Sequence, residues 1–79
     1  MKDIIIWDGS NENINKRYTI FLGKKAYILE SSLDDLGFIN CQTLSRAEID
    51  VAWMNSQYKK VSFKDLPESF IRVLKERTC

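Results

Sequence analysis

The chain has 79 residues, 44% of them hydrophobic, and a formal net charge of +1 from 12 basic and 11 acidic side chains. This length suffices for a single domain, residues 1–79, with a modest hydrophobic core. The apolar content is typical of a folded chain and excludes a disordered tail. The balanced charge provides no long-range field that would steer nucleic acid or an anionic membrane surface to the protein.

The cysteines and the apolar runs indicate the compartment. The chain has only two cysteines, Cys41 and Cys79, and they lie far apart in sequence. This argues against the dense disulfide framework of a small secreted protein. The apolar run at residues 4–7 is too short for a signal peptide or for a membrane span. We therefore expect a cytoplasmic protein with reduced thiols and no membrane segment.

The first element is the sequence "DIIIW" at residues 3–7. A continuous apolar run followed by the turn pair Asp8-Gly9 predicts a buried strand. The polar segment at residues 8–16 is rich in Asn and Ser, so it predicts a surface loop.

The strongest local signal is a hairpin over residues 17–31. Gly23 and Lys24 suit a two-residue turn with Gly at its first central position. This turn predicts a register in which Leu22 faces Lys25, and it places Arg17 opposite Glu30 as a favourable cross-strand pair. One face would carry Tyr18, Ile20, Leu22, Tyr27 and Leu29, and the other Thr19, Phe21, Ala26 and Ile28. Neither face is clearly polar.

The segment after the hairpin predicts two short elements. Residues 31–37 resemble one helical turn, with Ser31 or Ser32 as its cap and Gly37 at its end. Residues 38–42, "FINCQ", are consistent with a short strand.

A helix is predicted at about residues 45–57. Ser45 and Glu48 have the spacing of a capping box. Within this helix one apolar stripe would hold Leu44, Ala47, Val51, Met54 and Tyr58. The competing interpretation is a strand, because Ile49, Val51 and Trp53 also alternate.

The final segment predicts a short edge strand at Val61 and Phe63 and then a helix at about residues 66–77. Asp65 is the expected cap, and Glu68 would complete a second capping box. Apolar residues share one side of this helix and charged residues the other, which is typical of a helix packed on its own sheet. The apolar side holds Leu66, Phe70, Val73 and Leu74, with Ile71 at its margin.

Together these elements predict an α+β domain. A small antiparallel sheet, with the hairpin at residues 17–31 in its centre, is packed by two helices at about 45–57 and 66–77.

The sequence offers little material for catalysis or for a cofactor. The chain has no histidine, which removes the commonest general base and most zinc sites. Cys41 is expected to be a small core residue, and adjacent Asp34 and Asp35 would point apart on a helix. The loop at residues 8–13 lacks the glycine and the bidentate glutamate of a calcium loop. We therefore expect a non-enzymatic protein without metal or cofactor.

Exposed aromatic residues favour an interaction module. Ile49 and Trp53 would point away from the apolar stripe of the predicted helix, and tryptophan is enriched at interaction hot spots. Tyr18 and Tyr27 on the hairpin are further candidates for an interface. The resulting hypothesis is a regulator or inhibitor that docks on a larger protein complex. Lys outnumbers Arg and Ile outnumbers Leu, a bias of AT-rich genomes, which favours an anti-defence or accessory protein of a phage or mobile element.

Two further interpretations concern the partners. A homodimer is expected, because two short helices would cover one face of the hairpin and leave the other face, or Ile49 and Trp53, for a second copy. The alternative function is a nucleic-acid-binding regulator that uses a basic rim of Lys24, Lys25, Lys59 and Lys60, with tyrosines nearby for stacking.

Overall fold

A computed structural model describes residues 4–34 and 38–78. Within these residues the chain forms an antiparallel sheet of five strands in the order β4-β3-β2-β1-β5, together with two α-helices and two 3-10 turns. The elements in chain order are β1 Ile4–Asp8, β2 Asn15–Leu22, β3 Lys25–Ser32, β4 Asn40–Ser45, a 3-10 turn Arg46–Glu48, α1 Val51–Gln57, β5 Lys59–Val61, a 3-10 turn Phe63–Asp65 and α2 Glu68–Thr78. The predicted α+β class is confirmed.

The hairpin of β2 and β3 has the predicted register. Leu22 pairs with Lys25 and Arg17 with Glu30, and the Arg17 guanidinium lies 3.3 Å from the Glu30 carboxylate. Gly23 has a φ of 65°, whereas Lys24 does not have a positive φ. Positive φ at the first central position alone is the pattern of a type II′ turn, which matches the right-handed twist of the strands.

The segments on either side of β4 differ from the prediction. Ser31 and Ser32 are the last residues of β3 rather than the cap of a helical turn, because their backbones pair with Lys16 and Asn15. The remainder of that predicted turn, residues 35–37, lies outside the described residues. The strand predicted at 38–42 exists, but β4 begins at Asn40 and continues to Ser45.

The helix predicted at 45–57 is interrupted. Ser45 and Glu48 do form a capping box, but it opens only a 3-10 turn. The chain then becomes extended at Ile49 and Asp50, and the Asp50 carboxylate accepts a hydrogen bond of 3.0 Å from the Trp53 amide. Asp50 is therefore the cap from which α1 starts.

The predicted start of the last helix also differs from the structure. Asp65 does not open it; its carboxylate accepts from the Ser62 backbone amide at 2.9 Å and closes the box of a 3-10 turn. The predicted edge strand also moves, because β5 is Lys59–Val61 and Phe63 lies in that turn. α2 begins at Glu68, directly after Pro67.

The helices lie on opposite faces of the sheet. We call the side of the sheet that α2 covers the α2 face, and the opposite side the α1 face. The buried cluster on the α2 face consists of Ile6, Tyr18, Ile20, Tyr27, Leu29, Leu66, Phe70 and Leu74. The α1 face packs a smaller cluster consisting of Trp7, Phe21, Ala26 and Met54, bordered by Ile5, Leu44, Ile49 and Tyr58. Most apolar residues on both faces of the hairpin are thus buried within one chain, whereas Leu22 and Ile28 stay partly exposed.

The strand order explains this two-sided packing. β4 and β5 form the two edges of the sheet, four strand spacings apart, a distance of roughly 19 Å. The connection between them, which contains α1, must therefore cross one face from edge to edge. α2 follows β5 and takes the other face. Among the described residues, no helix combines the length and the apolar character needed to cross a bilayer.

Candidate functional site

The exposed side of α1 has an unusual composition for a surface helix. Residues 51–57, "VAWMNSQ", include no charged residue, and the Trp53 side chain is 50% exposed. We call this area the Trp53 surface; it consists of the exposed residues Val51, Ala52, Trp53, Ser56 and Gln57. The exposed residues of α2, by contrast, include Glu68, Arg72, Lys75, Glu76 and Arg77. α2 therefore has the ordinary solvated exterior of a surface helix, whereas α1 does not.

Several contacts fix α1 on the sheet. Met54 is buried against the α1 face, and the indole Nε1 of Trp7 donates a hydrogen bond of 3.0 Å to Asn55 Oδ1. The capping hydrogen bond from the Trp53 amide to Asp50 holds the first turn. A helix of seven residues is marginal in isolation, so these tertiary contacts determine its position.

The Trp53 ring is itself oriented by a neighbour. It meets the Tyr58 ring edge to face, with centroids 5.4 Å apart and an interplanar angle of 88°. Tyr58 in turn packs against the backbone of Gly9, where an added Cβ would lie 3.2 Å from the Tyr58 ring. The indole is thus presented to solvent in a defined orientation rather than on a free side chain.

The other residues predicted at an interface are placed differently. Tyr18 and Tyr27 are 3% and 8% exposed and lie in the core beneath α2, so a partner cannot reach their rings while α2 is in place. Ile49 is partly buried and packs toward the α1 face, because the extended residues at 49–50 turn it inward. Trp53 is the predicted interface residue that the structure leaves most accessible.

The lysines of the predicted basic rim lie at opposite corners of the sheet. Lys24 and Lys25 are at the β2–β3 turn, whereas Lys59 and Lys60 pair with Asp8 and Trp7 at the far end of β1. Strand spacings put the two pairs roughly 15–20 Å apart. Lys59 and Lys60 are consecutive in a strand, so they also point to opposite faces. The four lysines do not form one continuous rim.

Burial and hydrogen bonds explain the pKa shifts of three titratable groups. Burial raises the pKa of the Cys41 thiol, which keeps it protonated at neutral pH and unsuited to act as a nucleophile. Burial, with a smaller contribution from the Asp8 carboxylate, raises the pKa of Tyr18. Hydrogen bonds from the Ser62 amide and hydroxyl lower the pKa of Asp65.

A shallow depression of about 340 Å³ lies at the end of the sheet where β2, β3 and β4 meet, between exposed Ile14 and Phe38. Its carboxylate, Glu30, is already held by the amide of Asn15 and the guanidinium of Arg17. The Ser31 hydroxyl on its floor has no hydrogen-bond partner among the described residues, but it is buried. The described residues that line the depression therefore present no free charged group to a ligand.

Removal of metal should not affect this domain. The described residues contain no group of three or more His, Cys, Asp or Glu side chains placed to hold a metal ion. Because these described residues offer no ligand cluster that would couple metal binding to folding, we expect EDTA to leave the melting temperature unchanged. Thermal unfolding with and without chelator measures this, and a loss of several degrees that a divalent ion restores would contradict it.

Comparison of the chain with protein-family models, curated proteins and solved structures finds no significant match. The fold and the Trp53 surface therefore define the class, a small α+β domain with one uncharged helix exposed, and they carry the functional argument alone.

Proposed function

We propose that the protein is a small non-enzymatic interaction module that docks on a larger protein through the Trp53 surface. The observation that carries this proposal is the half-exposed tryptophan on a helix with no charged residue. Interface centres are depleted in charged residues and enriched in tryptophan, and tryptophan anchors contribute much of the binding free energy.

The contacts that hold α1 on the sheet support the same proposal. Binding costs free energy when side chains and helices must be ordered on contact. Here Met54, the Trp7–Asn55 hydrogen bond and the Tyr58 ring already hold α1 and the Trp53 indole in place. The partner chemistry that fits is an uncharged cleft lined by apolar side chains, wide enough for an indole and one helical turn. A phage or mobile-element regulator that inhibits a larger complex is the biological class that we propose for such a module.

The test compares Trp53→Ala with Phe63→Ala in a pull-down from bacterial lysate followed by mass spectrometry. Phe63 is a matched control, because it is also an exposed aromatic residue, 38% accessible, in the 3-10 turn before α2. We expect the partner retained by the wild-type protein to be retained by Phe63→Ala and lost with Trp53→Ala. Loss of a hot-spot tryptophan should weaken binding by about 2–4 kcal/mol, measured by calorimetry on the purified pair.

Equal retention by both variants would contradict docking through Trp53. Nuclease treatment and a salt titration separate the nucleic-acid alternative, because binding through phosphate contacts weakens steeply with salt. If the retained material is nucleic acid and its loss follows Lys24, Lys25, Lys59 or Lys60 rather than Trp53, the proposal is wrong.

A further inference from the structure

We propose that β4 pairs with β4 of a second copy, so that the protein forms a two-fold symmetric dimer with one continuous sheet. This proposal is independent of docking through the Trp53 surface. The sequence left two dimer contacts open, a sheet face or Ile49 with Trp53. We place the contact at β4 instead, because a helix packs on each sheet face and Ile49 is partly buried against the α1 face.

The two edges of the sheet differ in how they are protected. Natural sheet edges are usually shortened, charged, bulged or interrupted by proline, which prevents pairing with another chain. β5 follows this rule, with three residues of which two are lysines. β4 does not: Asn40–Ser45 is six residues long, contains no charge and no proline, and keeps a continuous register with β3.

The backbone groups that β4 offers can be identified from the ladder. A two-residue hairpin turn makes Leu22 and Lys25 a hydrogen-bonded pair, so Lys25 directs its amide and carbonyl toward β2. Because the direction of the backbone groups alternates along a strand, those of Ala26, Ile28 and Glu30 form hydrogen bonds with β4. Their partners are Leu44, Gln42 and Asn40. The amides and carbonyls of Cys41, Thr43 and Ser45 therefore point away from the sheet.

One of these outward groups is already occupied. The Ser45 amide donates to the Glu48 carboxylate at 2.9 Å in the capping box of the 3-10 turn. This contact independently confirms that Ser45 faces outward, and it ends the free edge at that residue. Within residues 4–34 and 38–78 no other hydrogen bond uses the outward groups of Cys41 and Thr43, so each can offer an amide and a carbonyl to a new strand.

These groups fit a second copy of the same strand. In an antiparallel pair centred on Gln42, Cys41 of each copy lies opposite Thr43 of the other, and the two residues exchange hydrogen bonds on both sides of the axis. About four hydrogen bonds result, and they use the free groups without disturbing the Ser45–Glu48 contact. Because β4 carries no charge, its own copy brings no like charges together.

The side chains at the axis support this arrangement. Gln42 would face Gln42 of the second copy in a non-hydrogen-bonded pair, in which side chains approach most closely. Two carboxamides can donate to and accept from each other, whereas two identical charges would repel. Asn40 would lie opposite Leu44 on the same face. The register is therefore self-complementary, as a two-fold contact requires.

The first experiment changes the charge at the axis and measures mass by light scattering from low to high micromolar concentration. We expect the wild-type protein to reach about twice 9.3 kDa. Gln42→Lys and Gln42→Glu should each weaken self-association at least about tenfold, because like charges then face each other. An equimolar mixture of the two variants should restore the dimer. Gln42 is exposed, so both variants should remain folded by circular dichroism.

The second experiment tests the hydrogen bonds. Thr43→Pro removes an amide that points away from the sheet. Proline is compatible with an edge strand at such a position, so the variant should fold but no longer form the dimer. Thr43→Val keeps that amide and is the matched control that should retain the dimer. If Thr43→Pro fails to fold, the Gln42 charge pair still decides the proposal.

The third experiment tests the register in protein that carries Cys41→Ser and Cys79→Ser. Under oxidation Gln42→Cys should form a covalent dimer, because Cα atoms of a non-hydrogen-bonded pair are about 4.5 Å apart and fit a disulfide. Asn40→Cys should not, since the two copies of residue 40 would be offset by roughly 13 Å along the strands. A monomer at all concentrations would overturn the proposal. So would cross-linking through residue 40, or a dimer that Trp53→Lys dissociates and Gln42→Lys does not.

Discussion

Phe70→Ala is expected to lower the free energy of unfolding by about 3–5 kcal/mol, the usual cost of removing a fully buried phenylalanine. Phe70 is 0% exposed and joins α2 to the sheet through an edge-to-face contact with Tyr18, with ring centroids 5.3 Å apart. A domain of this size has only a few kcal/mol of net stability, so the variant should be largely unfolded at room temperature.

Urea denaturation followed by circular dichroism measures this effect. All proteins should be compared at one concentration, because dimerisation would add a concentration-dependent term to the stability. Arg72→Ala is the matched control on the exposed side of α2, and it should change the stability by no more than about 0.5 kcal/mol. A Phe70→Ala protein that unfolds at the wild-type urea concentration would show that α2 is not part of the core.

The β2–β3 hairpin and the apolar side of α2 could be predicted because both depend on residues that are close together in the sequence. The register of β2 and β3 follows from a single turn at Gly23-Lys24 and from strict alternation on either side. The inward positions of α2 follow from helical periodicity, and Phe70 and Leu74 are indeed buried, as is Leu66 just before the helix. Neither inference required knowledge of residues distant in sequence.

The starts of the helices are harder to predict from the sequence, because a capping motif does not indicate how long the helix after it will be. The box of Ser45 and Glu48 exists, but only a 3-10 turn follows, since Asp50 offers a second cap four residues before Met54. In the same way, the sequence "SFKD" contains a complete box of Ser62 and Asp65 that competes with the interpretation of Asp65 as the cap of α2. The competing cap residues were visible in the sequence, but the choice between them depends on tertiary packing.

The faces covered by the helices could not be predicted locally. They depend on β4 and β5 being opposite edges of the sheet, which forces α1 to cross one face and leaves the other to α2. This long-range order also decides the candidate site. It buries Tyr18 and Tyr27 beneath α2, leaves Trp53 exposed, and exposes the backbone edge of β4, for which no single side chain in the sequence is a signal.

Trp7→Ala is the second large effect, and it tests whether the α1 face is a true core. Trp7 is 0% exposed, and the centroid of its ring lies 4.8 Å from that of Phe21. Its indole also supports α1 through a hydrogen bond to Asn55. We expect a loss of about 3–5 kcal/mol, as large as that of Phe70→Ala on the opposite face. Trp53→Ala removes the same residue type from a half-exposed position and should cost much less, on the order of 1 kcal/mol.

Asn55→Ala separates the hydrogen bond from the packing. It leaves the indole in place but removes the acceptor of its buried N–H group, so we expect an intermediate loss of about 1–3 kcal/mol. Urea denaturation of the three variants should thus give the order Trp7→Ala, Asn55→Ala, Trp53→Ala, from the largest loss to the smallest. If Trp7→Ala were no more destabilising than Trp53→Ala, α1 would not seal its face of the sheet.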